Sequence, residues 1–274
     1  MSDDWPVDAT RRDKAALIDT TVPNPARVGD YMSGGQDNFE ADRRAARALA
    51  ATSPVVSTVI PALRGFHQRA MRYLVAEAGI RQFLDIGTRL AMSGNTHEIA
   101  QSLAPESRIV YATSDPVVLS HARALATSTA DGAVASVDAD AKDPRAILAG
   151  AAETLNFGRP VAILLMATLA FVLDDEVAAE IMLSLIGAVP AGSYIALHHQ
   201  ASDLDPGAWA LIRRWNAMSA WQMTLRSHGQ LAELLAGLDP VPPGIVPIPE
   251  WRPAPGNPGF EHVIPIYGAV ARKP

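Results

Sequence analysis

The chain has 274 residues, 49% of them hydrophobic and 19% charged, enough apolar material for a sizeable core and too much for a disordered chain. The absence of cysteine excludes disulfides, thiolate nucleophiles and cysteine-held zinc or iron–sulfur sites. Twenty-nine acidic against 23 basic residues leave a formal charge of −6, the wrong sign for a sequence-independent grip on a phosphate backbone, so no nucleic-acid partner is expected.

The first 16 residues are polar and carry no apolar h-region, which reads as no signal peptide and a cytoplasmic protein. Residues 1–21 are expected to be a mobile N-terminus. Residues 22–38, with the run PNPARVGDYMSGGQDN, have the composition of an ordered loop. Helices are predicted over 39–51 and 57–78, the second from Ile60, Leu63, Phe66, Met71, Leu74 and Val75 at helical spacing. From Gly79 onward short strand-like runs recur at 82–86, 108–112, 133–137, 161–166 and 194–197, with helical stretches between them, the pattern of a parallel sheet covered on both faces. Asn95 with Glu98, and Ser227 with Gln230, have capping-box spacing at helix starts. The longest apolar run, 161–173, is too short to span a bilayer and ends in Asp174 and Asp175, so no membrane partner is expected. A proline-dense stretch over 239–258 precedes a last strand predicted over 262–270, together read as an edge hairpin with a wrapped loop.

In an open α/β sheet, ligands bind beyond the carboxyl ends of the strands, which directs attention to residues 85–94, 113–115, 138–140 and 166–174. Met166 and Phe171 in the last of these are read as substrate contacts. Histidines are the natural proton carriers near neutrality. His97 lies one turn inside a helix, where a structural hydrogen bond is the favoured reading. His198 and His199 end the fifth strand, and alternation turns them to opposite faces, so at most one meets the cleft. No metal site is expected, because no ligand spacing such as H-E-x-x-H occurs. Trp209, Trp215 and Trp221, six apart, are read as packing or a substrate wall.

The strand-closing segments Phe83-Leu84-Asp85-Ile86-Gly87-Thr88, Asp115-Pro116 and Asp138-Ala139-Asp140 resemble the class I S-adenosylmethionine methyltransferases. More narrowly, PNPARVGDYMSGGQDNF, GIRQFLDIGT, GNTHEIAQ, VDAD and the terminal YGAVARKP resemble a high-GC bacterial S-adenosyl methyltransferase family, over nearly the whole chain from Val22. The resemblance implies a Rossmann-like α/β fold with a seven-stranded, mostly parallel sheet, its last strand antiparallel. It also implies a lid and helices over 22–78 and a methyltransferase-like core over 79–274. It carries cofactor contacts to Asp85, Gly87, Thr113, Asp115 and Asp140. In the lid segment it points to Arg27, Asp30, Tyr31 and Asn38, of which Arg27, Tyr31 and Asn38 are taken as contacts to substrate.

Five positions depart from the family pattern: Arg89 replaces a glycine of the first loop and Ala91 its proline; Thr113 replaces an acid; Gly29 replaces a tyrosine; and Ala170 replaces a histidine. An arginine fills the space through which the cofactor's methionine part approaches the backbone. A single hydroxyl where an acid grips two ribose hydroxyls costs about 2 to 4 kcal/mol of binding. The leading expectation from these changes is an enzyme of specialised metabolism that keeps the fold but not the methyl transfer, and closes a ring on a small anionic substrate, free or on a carrier protein. Arg89 would then neutralise the departing anion, and Asp115 or His199 would take the proton, with Tyr31 a further catalytic candidate. The alternatives are a small-molecule methyltransferase that retains S-adenosylmethionine, and a metabolite-binding protein without turnover.

Overall fold

The computed structural model describes residues 18–87, 94–125, 127–254, 256 and 259–274. Its centre is a sheet of β1 (Gln82–Ile86), β2 (Arg108–Thr113), β3 (Ala133–Asp138), β4 (Ala162–Met166), β5 (Tyr194–Gln200), the two-residue β6 (Asp239–Pro240) and β7 (Val246–Pro247), and β8 (Ile266–Arg272). The order is β3-β2-β1-β4-β5-β8-β6, with β7 pairing β8 off this path. Strands β1 to β5 run parallel, and β8 is antiparallel to β5, β6 and β7. The chain reverses its direction of winding between β1 and β4, which sets the crevice for a ligand at their carboxyl ends.

Nine α-helices are described: α1 (Pro25–Met32), α2 (Glu40–Ala50), α3 (Val56–Arg72), α4 (Thr96–Leu103), α5 (Pro116–Leu125), α6 (Pro144–Ala151), α7 (Asp175–Gly187), α8 (Ala208–Asn216) and α9 (His228–Leu234). Residue alternation along the strands sorts the core into two layers. Leu84, Ile86, Val110, Ile163 and Leu197 pack with Ile147 of α6, Met182 of α7 and Leu231 of α9. Phe83, Ile109, Leu164 and Ala196 pack on the other face against Phe66 and Met71 of α3, Ala100 of α4, and Trp251. Both capping boxes form: Glu98 accepts the Asn95 N–H at 3.1 Å, and Gln230 accepts the Ser227 N–H at 2.9 Å.

Two readings of the sequence are corrected. Residues 22–38 are not all loop, because Asn24 caps α1 by accepting the N–H groups of Ala26 and Arg27 at 2.8 and 3.3 Å, with Pro25 at the first helical position. The residues that signalled a loop are the ones that start a helix. The last strand is no edge strand: it lies between β5 and the short β6 and β7, and its first six residues are buried. It begins at Ile266, after Pro265, which has no N–H to give a ladder. The helix predicted over 57–78 continues past α3 as a π turn, Tyr73–Glu77. Most of the segment read as a mobile N-terminus, residues 1–17, lies outside the described residues.

Candidate functional site

A cavity of about 350 Å³ opens at the carboxyl ends of β1 to β4, between Gly87, Thr113, Asp115, Asp140 and Met166 on the sheet side and Asn24, Phe171 and Trp221 opposite. Gly87 closes β1 with φ +75°, and a Cβ there would stand 2.6 Å from the Thr168 hydroxyl oxygen. That hydroxyl donates to the Ile86 carbonyl at 2.6 Å, so the β1 and β4 ends are locked at a separation only glycine permits. Beside it Ala167 holds a left-handed φ of 64°, a conformation costing a non-glycine residue about 1 kcal/mol or more.

Asp115 stands where β2 passes into α5. One carboxylate oxygen accepts the N–H groups of Val117 and Val118 at 2.9 and 3.0 Å, and the other accepts the Asn24 side-chain amide at 2.7 Å. Its own N–H donates to the Thr113 hydroxyl at 3.2 Å. Asp140 accepts the Lys142 N–H at 2.8 Å, a turn role that leaves it on the cavity wall.

Gly87, Ala26 and Met166 also line a second chamber of about 130 Å³ that reaches between α1, α3 and the start of α4. There the Thr96 hydroxyl donates to Asp85 at 2.6 Å and meets His67 Nε2 at 3.1 Å. Burial pushes His67 down to about 4, so near neutrality it is uncharged, and with Thr96 donating to Asp85 it is His67 Nε2 that carries a proton toward the hydroxyl. His198 lines the same chamber, edge-on to Phe66. Arg64 lines it too, half-buried, with a buried Nε that has no hydrogen-bond partner and with no carboxylate paired to it among the described residues. A half-buried guanidinium with no carboxylate beside it among the described residues favours an anion.

The structure brings Asp85, Gly87, Thr113, Asp115, Asp140, Met166 and Phe171 to these cavities and takes four other residues elsewhere. His199 is the histidine turned away from the cleft. Its Nδ1–H donates to the Gln200 carbonyl at 2.8 Å, and its Nε2 accepts from Arg226 at 2.8 Å. Burial, with the nearby Arg226 charge, holds it at about 4, and its basic nitrogen is capped, so it is not the proton acceptor. Arg27 is buried in an ion pair with Asp42 at 2.9 Å and donates to the carbonyls of Asp19 and Val22, leaving no face for substrate. Asn38 bonds Asp30, Gly35 and Arg43 and holds the turn before α2. Tyr31 packs with Val28, Ala45 and Trp215, lining neither cavity. Asp115 reaches the cavity, but three donors hold its carboxylate, so it anchors rather than carries protons. Arg89 and Ala91 lie outside the described residues.

His97 keeps the structural role read for it, with its ring and its N–H both on the Tyr111 hydroxyl at 2.7 and 2.9 Å. Trp215 is buried, Trp209 is exposed, and Trp221 forms part of the cavity wall. Sequence reasoning missed Arg64 and His67, which sit three apart on the flank of the α3 apolar stripe. It also missed Asn24, whose Asn-Pro pair was itself the helix-start signal. Among the described residues no cluster of His, Asp and Glu could hold a metal ion, and no helix is long and apolar enough to cross a membrane.

This architecture, with its crevice at the β1 and β4 ends and a glycine-closed first strand, is that of the Rossmann-like class I methyltransferases. The chain belongs to the S-adenosyl methyltransferase family, whose model matches residues 11–274. It is similar to a DUF574 family protein from Streptomyces avermitilis MA-4680, with 41% identity and a TM-score of 0.89 over 93% of this chain and 99% of that one. It is also similar to a Thermobifida fusca YX protein assigned to the methyltransferases, with 33% identity and a TM-score of 0.84 over 93% and 96% of the two chains. No curated protein matches the chain.

Proposed function

We propose that the chain is an S-adenosylmethionine-dependent methyltransferase acting on a small-molecule acceptor. The observation that carries this reading is the glycine that closes β1: Gly87 stands with Ala26 and Met166 where the two cavities meet, and a Cβ there would collide with Thr168. Around that junction the residue chemistry fits the cofactor: Thr113 and Asp115 for ribose hydroxyls, Asp140 for an adenine amino group, Asp85 for the cationic end, and Arg64 for the carboxylate. When bound, the cofactor supplies an electrophilic methyl group. Met166 and Phe171 exclude water from the space beside it, and His198, on the cleft side of β5, is placed to accept an acceptor's proton. The membership of the family supports the same reading.

The test is thermal unfolding with and without S-adenosylhomocysteine. Saturation at one hundred times the Kd adds about 2.7 kcal/mol and raises the midpoint by several degrees. No shift at millimolar ligand would remove the reading.

A second reading, ring closure with loss of an anionic group, is favoured by one observation: Arg64 lines the smaller cavity with no carboxylate paired to it among the described residues. It requires sulfate or phosphate, and not S-adenosylhomocysteine, to raise the unfolding midpoint.

A further inference from the structure

Trp221 stands on the loop between α8 and α9, and its backbone is held on both sides. Its carbonyl accepts the Trp215 indole N–H, and its own N–H donates to the Ser219 hydroxyl oxygen at 3.0 Å. That hydroxyl in turn donates to the Pro23 carbonyl at 3.0 Å. Pro23 precedes Asn24, whose side-chain amide reaches Asp115 at 2.7 Å, so a run of hydrogen bonds ties the loop to the Asp115 rim of the main cavity. The Gln222 amide closes the turn on the carbonyls of Asn216 and Ser219, both at 2.9 Å.

The side chain is treated in the opposite way. Trp221 is 41% exposed, where Trp215 and Trp251 are 4% and 0%. Among the described residues its ring meets no other aromatic ring and no cation, and its indole N–H has no hydrogen-bond partner. Packing would gain by burying so large a ring, and this one stays uncovered although its backbone is fastened. The same residue lines the main cavity with Ala139, Asp140, Phe171 and Leu173. An aromatic side chain on a rigid backbone loses little freedom when a flat ligand settles against it, which is what makes such a wall effective.

We propose that Trp221 is the stacking wall for the purine base of a nucleoside bound in the main cavity. The inference rests on the methyltransferase reading for the nucleoside's identity as the adenosine half of the cofactor, and adds a contact that reading does not contain. The cavity joins what a nucleoside requires: hydroxyl partners at Thr113 and Asp115, a carboxylate at Asp140 for an exocyclic amino group, and an indole in the same wall. A phenol or an aromatic acid offers a ring to Trp221 but no pair of vicinal hydroxyls to Thr113 and Asp115, so the nucleoside is the better match.

The experiment titrates the full chain with S-adenosylhomocysteine and with adenosine, by calorimetry and by intrinsic tryptophan fluorescence, in wild type, Trp221→Leu and Trp221→Phe. Unfolding midpoints without ligand verify that both variants are folded, as expected for an exposed side chain. The expected result is that Trp221→Leu binds both ligands about ten-fold more weakly. Trp221→Phe, which keeps a ring, should stay within about three-fold of wild type, and the fluorescence change seen in wild type should be absent from both variants. Wild-type affinity in Trp221→Leu, or equal losses in Trp221→Leu and Trp221→Phe, would overturn the stack and leave the methyltransferase reading standing. Adenosine binding that weakens in Trp221→Leu, with no binding of S-adenosylhomocysteine to wild type, would keep the stack and sink that reading. Failure of wild type to bind either ligand would overturn both.

Discussion

Asn24 donates its side-chain amide to Asp115 at 2.7 Å, joining residues 91 positions apart at the rim of the main cavity. The same asparagine caps α1 through its oxygen and gives its backbone N–H to Asp42 at 2.9 Å. One residue thus fastens the first helix, the Arg27–Asp42 pair and the start of α5 together. Asn24→Ala is expected to cost about 1 to 2 kcal/mol from the lost cap and the lost bond to a carboxylate. It is also expected to weaken S-adenosylhomocysteine binding, because Asp115 loses a donor that holds it at the cavity wall. Urea unfolding and calorimetry on the one variant check both.

Gly87→Ala combines a left-handed φ with a clash against Thr168. The expected loss is about 2 kcal/mol or more of stability, together with loss of cofactor binding. Gly87→Ala with Thr168→Ala relieves the clash but not the φ, and should recover part of the stability, as a denaturant midpoint would reveal.

Arg64→Gln separates the two ends of the cofactor. Loss of a charge-assisted bond to a carboxylate lowers S-adenosylhomocysteine affinity by about ten-fold or more, whereas 5′-methylthioadenosine, which lacks the amino-acid tail, binds as it does to wild type. Equal losses for both ligands would show that Arg64 acts on the cavity's shape and not on a carboxylate.

Stability is expected to fall in mild acid. His67 and His199 are both held at about 4 by burial, below the ordinary 6.5. Above about 6.5 neither state is protonated at these sites; between 6.5 and 4 the unfolded chain takes up protons that the native chain refuses, so the stability present above 6.5 is lost as pH falls toward 4. Unfolding midpoints measured from pH 7.5 to 4.5 should decline, and His67→Gln, whose amide still donates to Thr96, should decline less steeply. A slope identical to wild type would show that His67 is not buried neutral.

The fold was legible because its signals are local. Five strand-like runs matched β1 to β5 within three residues at each end, and both capping boxes formed where S/N-x-x-E/Q spacing placed them. The cleft was legible for residues tied to strand ends: Asp85, Gly87, Thr113, Asp140 and Met166. What failed was orientation. Alternation said that one of His198 and His199 faces the cleft, but the face is chosen by Arg226, 27 positions on, which caps His199 on the far side. Arg27, Asn38 and Tyr31 read as ligands because a polar loop looks alike whether its groups bind substrate or one another; the Asp42 and Asp30 partners of Arg27 and Asn38, and the Trp215 cluster against which Tyr31 packs, are found only by the fold. Arg64 and His67 gave no signal, since polar residues on a helix flank ordinarily face water.

The most direct test of the account is calorimetric titration of the wild-type chain with S-adenosylhomocysteine. One site of micromolar Kd, abolished in Gly87→Ala, is the expected result. No binding at millimolar ligand, with sulfate or phosphate binding in its place, would contradict it and turn the cleft over to an anionic substrate.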